Sequence, residues 1–62
     1  MKILIKELRN KLGLSQPDFA KKIGISVSYL RDLEHQRYIP RLQKLEKIAK
    51  ILNISIKDLI ED

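Results

Sequence analysis

Few side chains in this sequence can do covalent chemistry. His35 is the only histidine, and its neighbours Asp32 and Glu34 offer one i, i+3 metal pair at most. That falls short of the three or four ligands a zinc site needs, so a surface histidine is the simpler reading. There is no cysteine, hence no thiolate nucleophile, disulfide or sulfur ligand. A glycine-rich phosphate loop is absent too. Neither an enzyme nor a cofactor is expected. What remains is reversible binding of anions. The chain carries thirteen Lys and Arg against eight Asp and Glu, a net charge of +5. Residues 1–31 hold seven Lys or Arg against two acids, whereas residues 32–62 hold six against six. The whole excess lies in the first half. Such asymmetry points to a polyanionic partner contacted mainly through that half, with ordinary solubility charge as the alternative.

The elements that must position these charges are short. Sixty-two residues make one domain, 1–62, with a single small core and a stability of only a few kcal/mol. Apolar residues recur at helical spacing. Ile5, Leu8 and Leu12 predict a first helix over roughly 2–12, closed by Gly13. Ser15-Gln16-Pro17-Asp18 reads as a helix start, with Ser15 as cap, Asp18 completing a capping box and Pro17 in the first turn. Phe19, Ala20 and Ile23 give that second helix its apolar face, and Gly24 ends it. Ser26 caps a third helix that buries Leu30 and Leu33 and runs to Glu34 or His35. A loop, His35 to Pro40, leads to a fourth helix that repeats Leu42, Leu45, Ile48, Ala49 and Leu52 at helical spacing, with Asn53 at its end. Ser55 and Asp58 open a short fifth helix carrying Ile56, Leu59 and Ile60. No strand-like alternation stands out. The expected fold is all-α, five short helices. The apolar opening Ile3-Leu4-Ile5 is cut short by Lys6 and Glu7, far below a signal or membrane segment, so no membrane contact and a cytoplasmic location are expected.

Residues 16–35 form two helices joined by a very short turn, and their close crossing makes definite demands. The first helix needs a small residue where the second approaches, met by Ala20. The turn needs a residue at ease with positive φ, met by Gly24. The second helix must bury apolar residues three apart, met by Leu30 and Leu33. Phe19, Ile23 and Ile25 face inward and carry no charge.

This arrangement resembles the helix-turn-helix of the lambdoid phage repressors, the Cro proteins and the wider Xre-like regulators. The shared pattern is Ala20, Gly24 four residues on, then Leu30 and Leu33 six and nine residues after it. Similar fragments extend along nearly the whole chain: Ile-Lys-Glu-Leu-Arg at 5–9, Gly-Leu-Ser-Gln at 13–16, Leu33-Glu34, Leu-Glu-Lys-Ile-Ala-Lys at 45–50, and Ile-Ser-Ile-Lys-Asp-Leu at 54–59. Each fragment is weak evidence; their joint order and spacing are strong.

The resemblance implies a compact lambda-repressor-like domain that binds double-stranded DNA and regulates transcription, as a repressor. The helix near 27–35 would enter the major groove. Val27, Ser28 and Asp32 would read bases, with Tyr29 and Arg31 flanking them. Val27 suits a thymine methyl, Ser28 either base type, and Asp32 the amine of cytosine. The alternative for Asp32 is an ion pair with Arg31 or a neighbouring lysine. Ser15 and Gln16, at a helix N-terminus, would contact phosphate, and the family's equivalent of Gln16 also braces the recognition helix. Arg37, Arg41 and Lys44 lie on or just after the loop that would run beside the DNA backbone. Arg41 matches a position that reaches into the minor groove in some phage repressors, against a solvated first-turn arginine as the plain alternative. Arg9 and Glu34 match a buried ion pair joining the first and third helices. Gln36 stands where a glycine is usual, so either it takes a positive φ at about 1 kcal/mol or the loop leaves the family's path.

The rival reading keeps the fold and changes the partner. Antitoxins and phage accessory proteins share this architecture and bind proteins. Tyr38, Ile39, Ile51, Ile56 and Ile60 are candidates for such contact, or else they complete a small core. A homodimer through the C-terminal third, at least on DNA, is expected because one half-site gives limited affinity.

Overall fold

The computed structural model describes residues 1–37 and 39–62. Four helices make the body: α1 (Ile5–Leu12), α2 (Gln16–Ile23), α3 (Val27–Glu34) and α4 (Leu42–Leu52). Each has an apolar side, and these meet around Phe19, Leu30, Leu33, Leu45 and Ile48, all essentially out of contact with water. Ala20, also buried, stands on α2 where α3 packs against it, the small residue that the crossing requires. Starts are capped as the sequence suggests. Ser15 Oγ accepts from the Asp18 N–H at 3.2 Å and Ser26 Oγ from the Tyr29 N–H at 3.0 Å. The return bond from the Asp18 side chain, which would complete a capping box on α2, is not among the hydrogen bonds of the described residues.

The helix ends share one device. Gly24 has φ +75°, its N–H reaches Lys21 O, and the next N–H, of Ile25, reaches back to Ala20 O at 2.9 Å. This paired turn uses carbonyls that the helix would otherwise leave open. Gly13 and Asn53 close α1 and α4 in the same manner. So does Gln36 after α3: its φ is +57°, its N–H bonds Leu33 O at 3.1 Å, and the Arg37 N–H bonds Asp32 O at 3.0 Å. Gln36 therefore accepts the left-handed conformation that a glycine would take freely.

Three expectations need correction. Residues 2–4 are not helical: Lys2–Ile3 form a strand, β1, and α1 starts only at Ile5. Among the described residues no fifth α-helix forms either. Ser55 and Asp58 do cap, with the Ser55 N–H on Asp58 Oδ2 at 3.3 Å, but what they open is a single 3-10 turn at Ile56–Asp58. Ile60–Glu61 then form β2, antiparallel to β1 with Ile3 opposite Ile60. Two-residue strands are unstable alone; here Ile3 and Leu59 are fully buried and pin them to the core. The third correction concerns the apolar faces. Leu12 and Leu42 keep the helical period but are 51% and 62% exposed, at the last position of α1 and the first of α4. Among the described residues no helix is long and apolar enough to cross a membrane.

Candidate nucleic-acid interface

Helix α3 turns Leu30, Leu33 and Glu34 inward. The residues left outside follow from 3.6-residue geometry: Ser28, Arg31 and Asp32, at i, i+3 and i+4, form one stripe. Ser28 and Arg31 are exposed and Asp32 partly so. The other two proposed readers differ. Val27 and Tyr29 are half-buried and pack against the core, on either flank of the stripe. Tyr29 lies under the Lys44 ammonium, 5.7 Å from its ring centre, linking α3 to α4. Asp32 pairs neither with Arg31 nor with a lysine. Its Oδ1 accepts from Arg37 Nη1 at 3.3 Å.

Beside this stripe a cleft of about 610 Å³ opens between α3 and the start of α4, lined by Tyr29, Ile39, Pro40, Arg41, Lys44 and Lys47 among others. Three cations share one concavity with no carboxylate on its wall. Arg41 is the residue just before α4, with extended backbone and no side-chain bond to the helix end, so it is not a first-turn residue. Gln43, which also lines the cleft, and Lys47 were not singled out from the sequence. The signal was present, since Lys44 and Lys47 stand three apart on one helix face. The cleft belongs to the half of the sequence whose net charge is zero. The acids that balance it are placed elsewhere: Glu46 faces a different cleft with Lys50 and Asn53, and Glu61 sits in β2. Net charge by sequence half is thus a poor map of charge by surface.

Behind the stripe, a buried polar network fixes α3. Arg9 on α1 meets Glu34 with two bonds, Nε to Oε2 at 2.6 Å and Nη2 to Oε1 at 3.1 Å. Its Nη1 also donates to Leu14 O at 3.0 Å. Gln16, in the first turn of α2, donates its amide to Glu34 Oε1 at 3.1 Å. Glu34 therefore binds α1, α2 and α3 together, and no buried side-chain polar atom among the described residues lacks a partner. The bracing expected of Gln16 is present; one of its two amide hydrogens remains available to an outside acceptor. Ser15 is exposed beside it.

Burial pushes the Glu34 carboxyl up, but hydrogen bonds from Arg9 and Gln16, with the charges of Arg9 and Lys6, outweigh it and hold the group below the usual carboxylate range. The same contact with Glu34 raises Arg9. An acid group depressed in the folded state takes up its proton more readily when unfolded, so its stabilisation is complete above the unfolded value, about 4.3. It is lost as pH falls from there through the lowered folded value. Denaturant midpoints should be flat between about pH 5 and 8 and should decline below about pH 4. Arg9→Met combined with Glu34→Leu, which removes both charges and leaves no buried ion unpaired, should make that decline shallower; an unchanged acid limb would show that Glu34 does not carry it.

His35 is exposed just past α3, and no group of three or more His, Asp or Glu among the described residues is placed to hold a metal. Of the apolar surface candidates, Ile39 and Ile51 are exposed, whereas Ile56 and Ile60 pack against the core. Tyr38 lies outside the described residues.

Comparison with known proteins agrees with this geometry. A family model described as helix-turn-helix matches residues 5–59. The ImmF control region 10 kDa protein of Bacillus phage phi105 is 39% identical over 56 residues, covering 90% of this chain and 62% of that protein. An uncharacterized HTH-type transcriptional regulator of Archaeoglobus fulgidus is 39% identical over 59 residues, covering 95% and 84%. The HTH-type transcriptional regulator SinR of Bacillus subtilis is 34% identical over 59 residues, covering 94% and 53%. The chain thus spans from about half to more than four fifths of the length of these relatives. With its matched span running from the first turn of α1 through the 3-10 turn, the chain belongs to the Xre-like helix-turn-helix family of DNA-binding transcriptional regulators.

Proposed function

We propose that this chain is a cytoplasmic, sequence-specific binder of double-stranded DNA that represses transcription by placing α3 in the major groove. The observation that carries this reading is the exposed stripe of α3 lying beside a cleft that gathers Arg41, Lys44 and Lys47. Ser28 and Asp32 would face base edges, Arg31 the edge of the groove, and Val27 and Tyr29 its walls through the parts they leave exposed. Arg37, Arg41, Lys44, Ser15 and Gln16 would hold the two phosphate strands, with Lys47 added to that set. Paired half-sites and a homodimer on DNA follow from the limited contact one α3 can make. The role is binding, without a catalytic step.

Selection of bound duplexes from a random pool, followed by a salt titration on the winner, tests this. The expected result is a two-fold symmetric site and a log–log salt slope of about −4 to −7, for about five to eight neutralised phosphates. No enrichment, together with no binding to random duplex at about 50 mM salt, would sink the proposal.

A further inference from the structure

We infer that Asp32 and Arg37 act together as an electrostatic selector, in which Asp32 determines specificity by exclusion. This rests on the docking of α3 proposed above. Asp32 occupies the outward stripe of α3 with Ser28 and Arg31, a position where a negative charge opposes approach to any polyanion. Its partner is held in place by the backbone. The turn that ends α3 bonds the Arg37 N–H to Asp32 O at 3.0 Å, and this returns the guanidinium to the Asp32 carboxylate at 3.3 Å. Both side chains are accessible, 40% for Asp32 and 64% for Arg37. An exposed pair of this kind adds only about 0–1 kcal/mol to folding, so stability does not account for it.

On DNA the same pair changes the balance between right and wrong sequences. Against random duplex the pair stays closed. Arg37 is then neutralised and contributes no phosphate contact, while the Asp32 carboxylate meets acceptor edges on guanine and thymine and is repelled. Where a cytosine amine faces Asp32, the carboxylate gains a charge-assisted hydrogen bond, and Arg37 is released to a neighbouring phosphate. Two favourable contacts then appear together at a cytosine, and more weakly at an adenine, whose amine stands beside the N7 acceptor.

The test is a cycle of wild type, Asp32→Asn, Arg37→Met and the double variant, with circular dichroism checking that each is folded. Binding is read by fluorescence anisotropy on a random duplex and on a pool-selected duplex across several salt concentrations. Asp32→Asn should bind random duplex about tenfold more tightly. Its salt slope should steepen by about 0.9, the signature of one more phosphate contact. On the selected site it should lose its preference at one C·G pair. With Arg37→Met in the background, the gain should shrink below about threefold, since the freed cation is missing. Unchanged or weaker binding of Asp32→Asn to random duplex overturns the selector, and so does a full gain that persists without Arg37. Failure of the wild type to bind any duplex would overturn the docking itself, a result distinguishable from both.

Discussion

Arg9→Ala is expected to leave the domain largely unfolded at room temperature. Its guanidinium is the main partner of a carboxylate whose side chain is only 3% exposed, and it is itself only 14% exposed. Removing it leaves Glu34 buried with one amide bond from Gln16 and strips Leu14 O of its donor. Breaking a buried pair from one side costs about 3–5 kcal/mol. A domain of this length without disulfides has a total stability of about the same size, so the substitution consumes all of it. Thermal melting followed by circular dichroism should lose its cooperative transition, while wild type shows one. Arg9→Met combined with Glu34→Leu should recover most of the transition, because an apolar pair carries no desolvation debt. If Arg9→Ala melts within about 0.5 kcal/mol of wild type, the network is decoration on the surface and not the joint between α1 and α3.

On the proposed docking, that joint bears on DNA binding as much as on folding. Glu34 ends the same helix that carries Ser28 and Asp32, so the contacts that hold it also set the angle at which the stripe is presented. Gln16 stands in the first turn of α2 and touches Glu34. On the proposed docking, a single side chain would sense a phosphate on one side and fix the reading helix on the other.

Features with strong local causes were legible in the sequence. Ser15 and Ser26 cap because a hydroxyl next to a helix start has free amides to accept from. Gly13, Gly24 and Asn53 end helices because the turn needs positive φ. Ala20, Leu30 and Leu33 follow from the crossing of α2 and α3. The errors came from non-local causes. The period of Ile5, Leu8 and Leu12 carries the first helix back to about residue 2, and only the distant Ile60–Glu61 segment decides that Lys2–Ile3 is a strand. Two residues are too few for alternation to show. Leu12 and Leu42 have the right period but stand at helix ends and are exposed, and periodicity says nothing about how far along a helix its cover extends. The partner of Asp32 was missed for a similar reason: Arg37 returns to it only through the left-handed turn at Gln36.

Gln36 itself yields a second large effect. Its strained φ of +57° would make glycine the better residue if backbone alone mattered. But its side-chain amide closes a ring on Ile3, accepting from the Ile3 N–H at 2.9 Å and donating to Ile3 O at 2.8 Å. The Leu4 N–H already bonds Leu59 O at 2.7 Å on the β2 side, so the Ile3 groups point away from β2 and would form an open strand edge. Gln36 takes the place of a third strand there. Gln36→Ala keeps the strain and loses both bonds, for about 2 kcal/mol at roughly 1 per bond. Gln36→Gly loses the same bonds but relieves about 1 kcal/mol of strain, so its net cost is about half. The expected order of denaturant midpoints is glutamine, then glycine, then alanine. Exchange of the Ile3 amide with solvent deuterium should accelerate in both variants, and far more than that of the Leu45 amide in the core. Glycine ranking above glutamine would mean that strain outweighs the amide ring; alanine matching wild type would mean that the strand edge is held by burial of Ile3 alone.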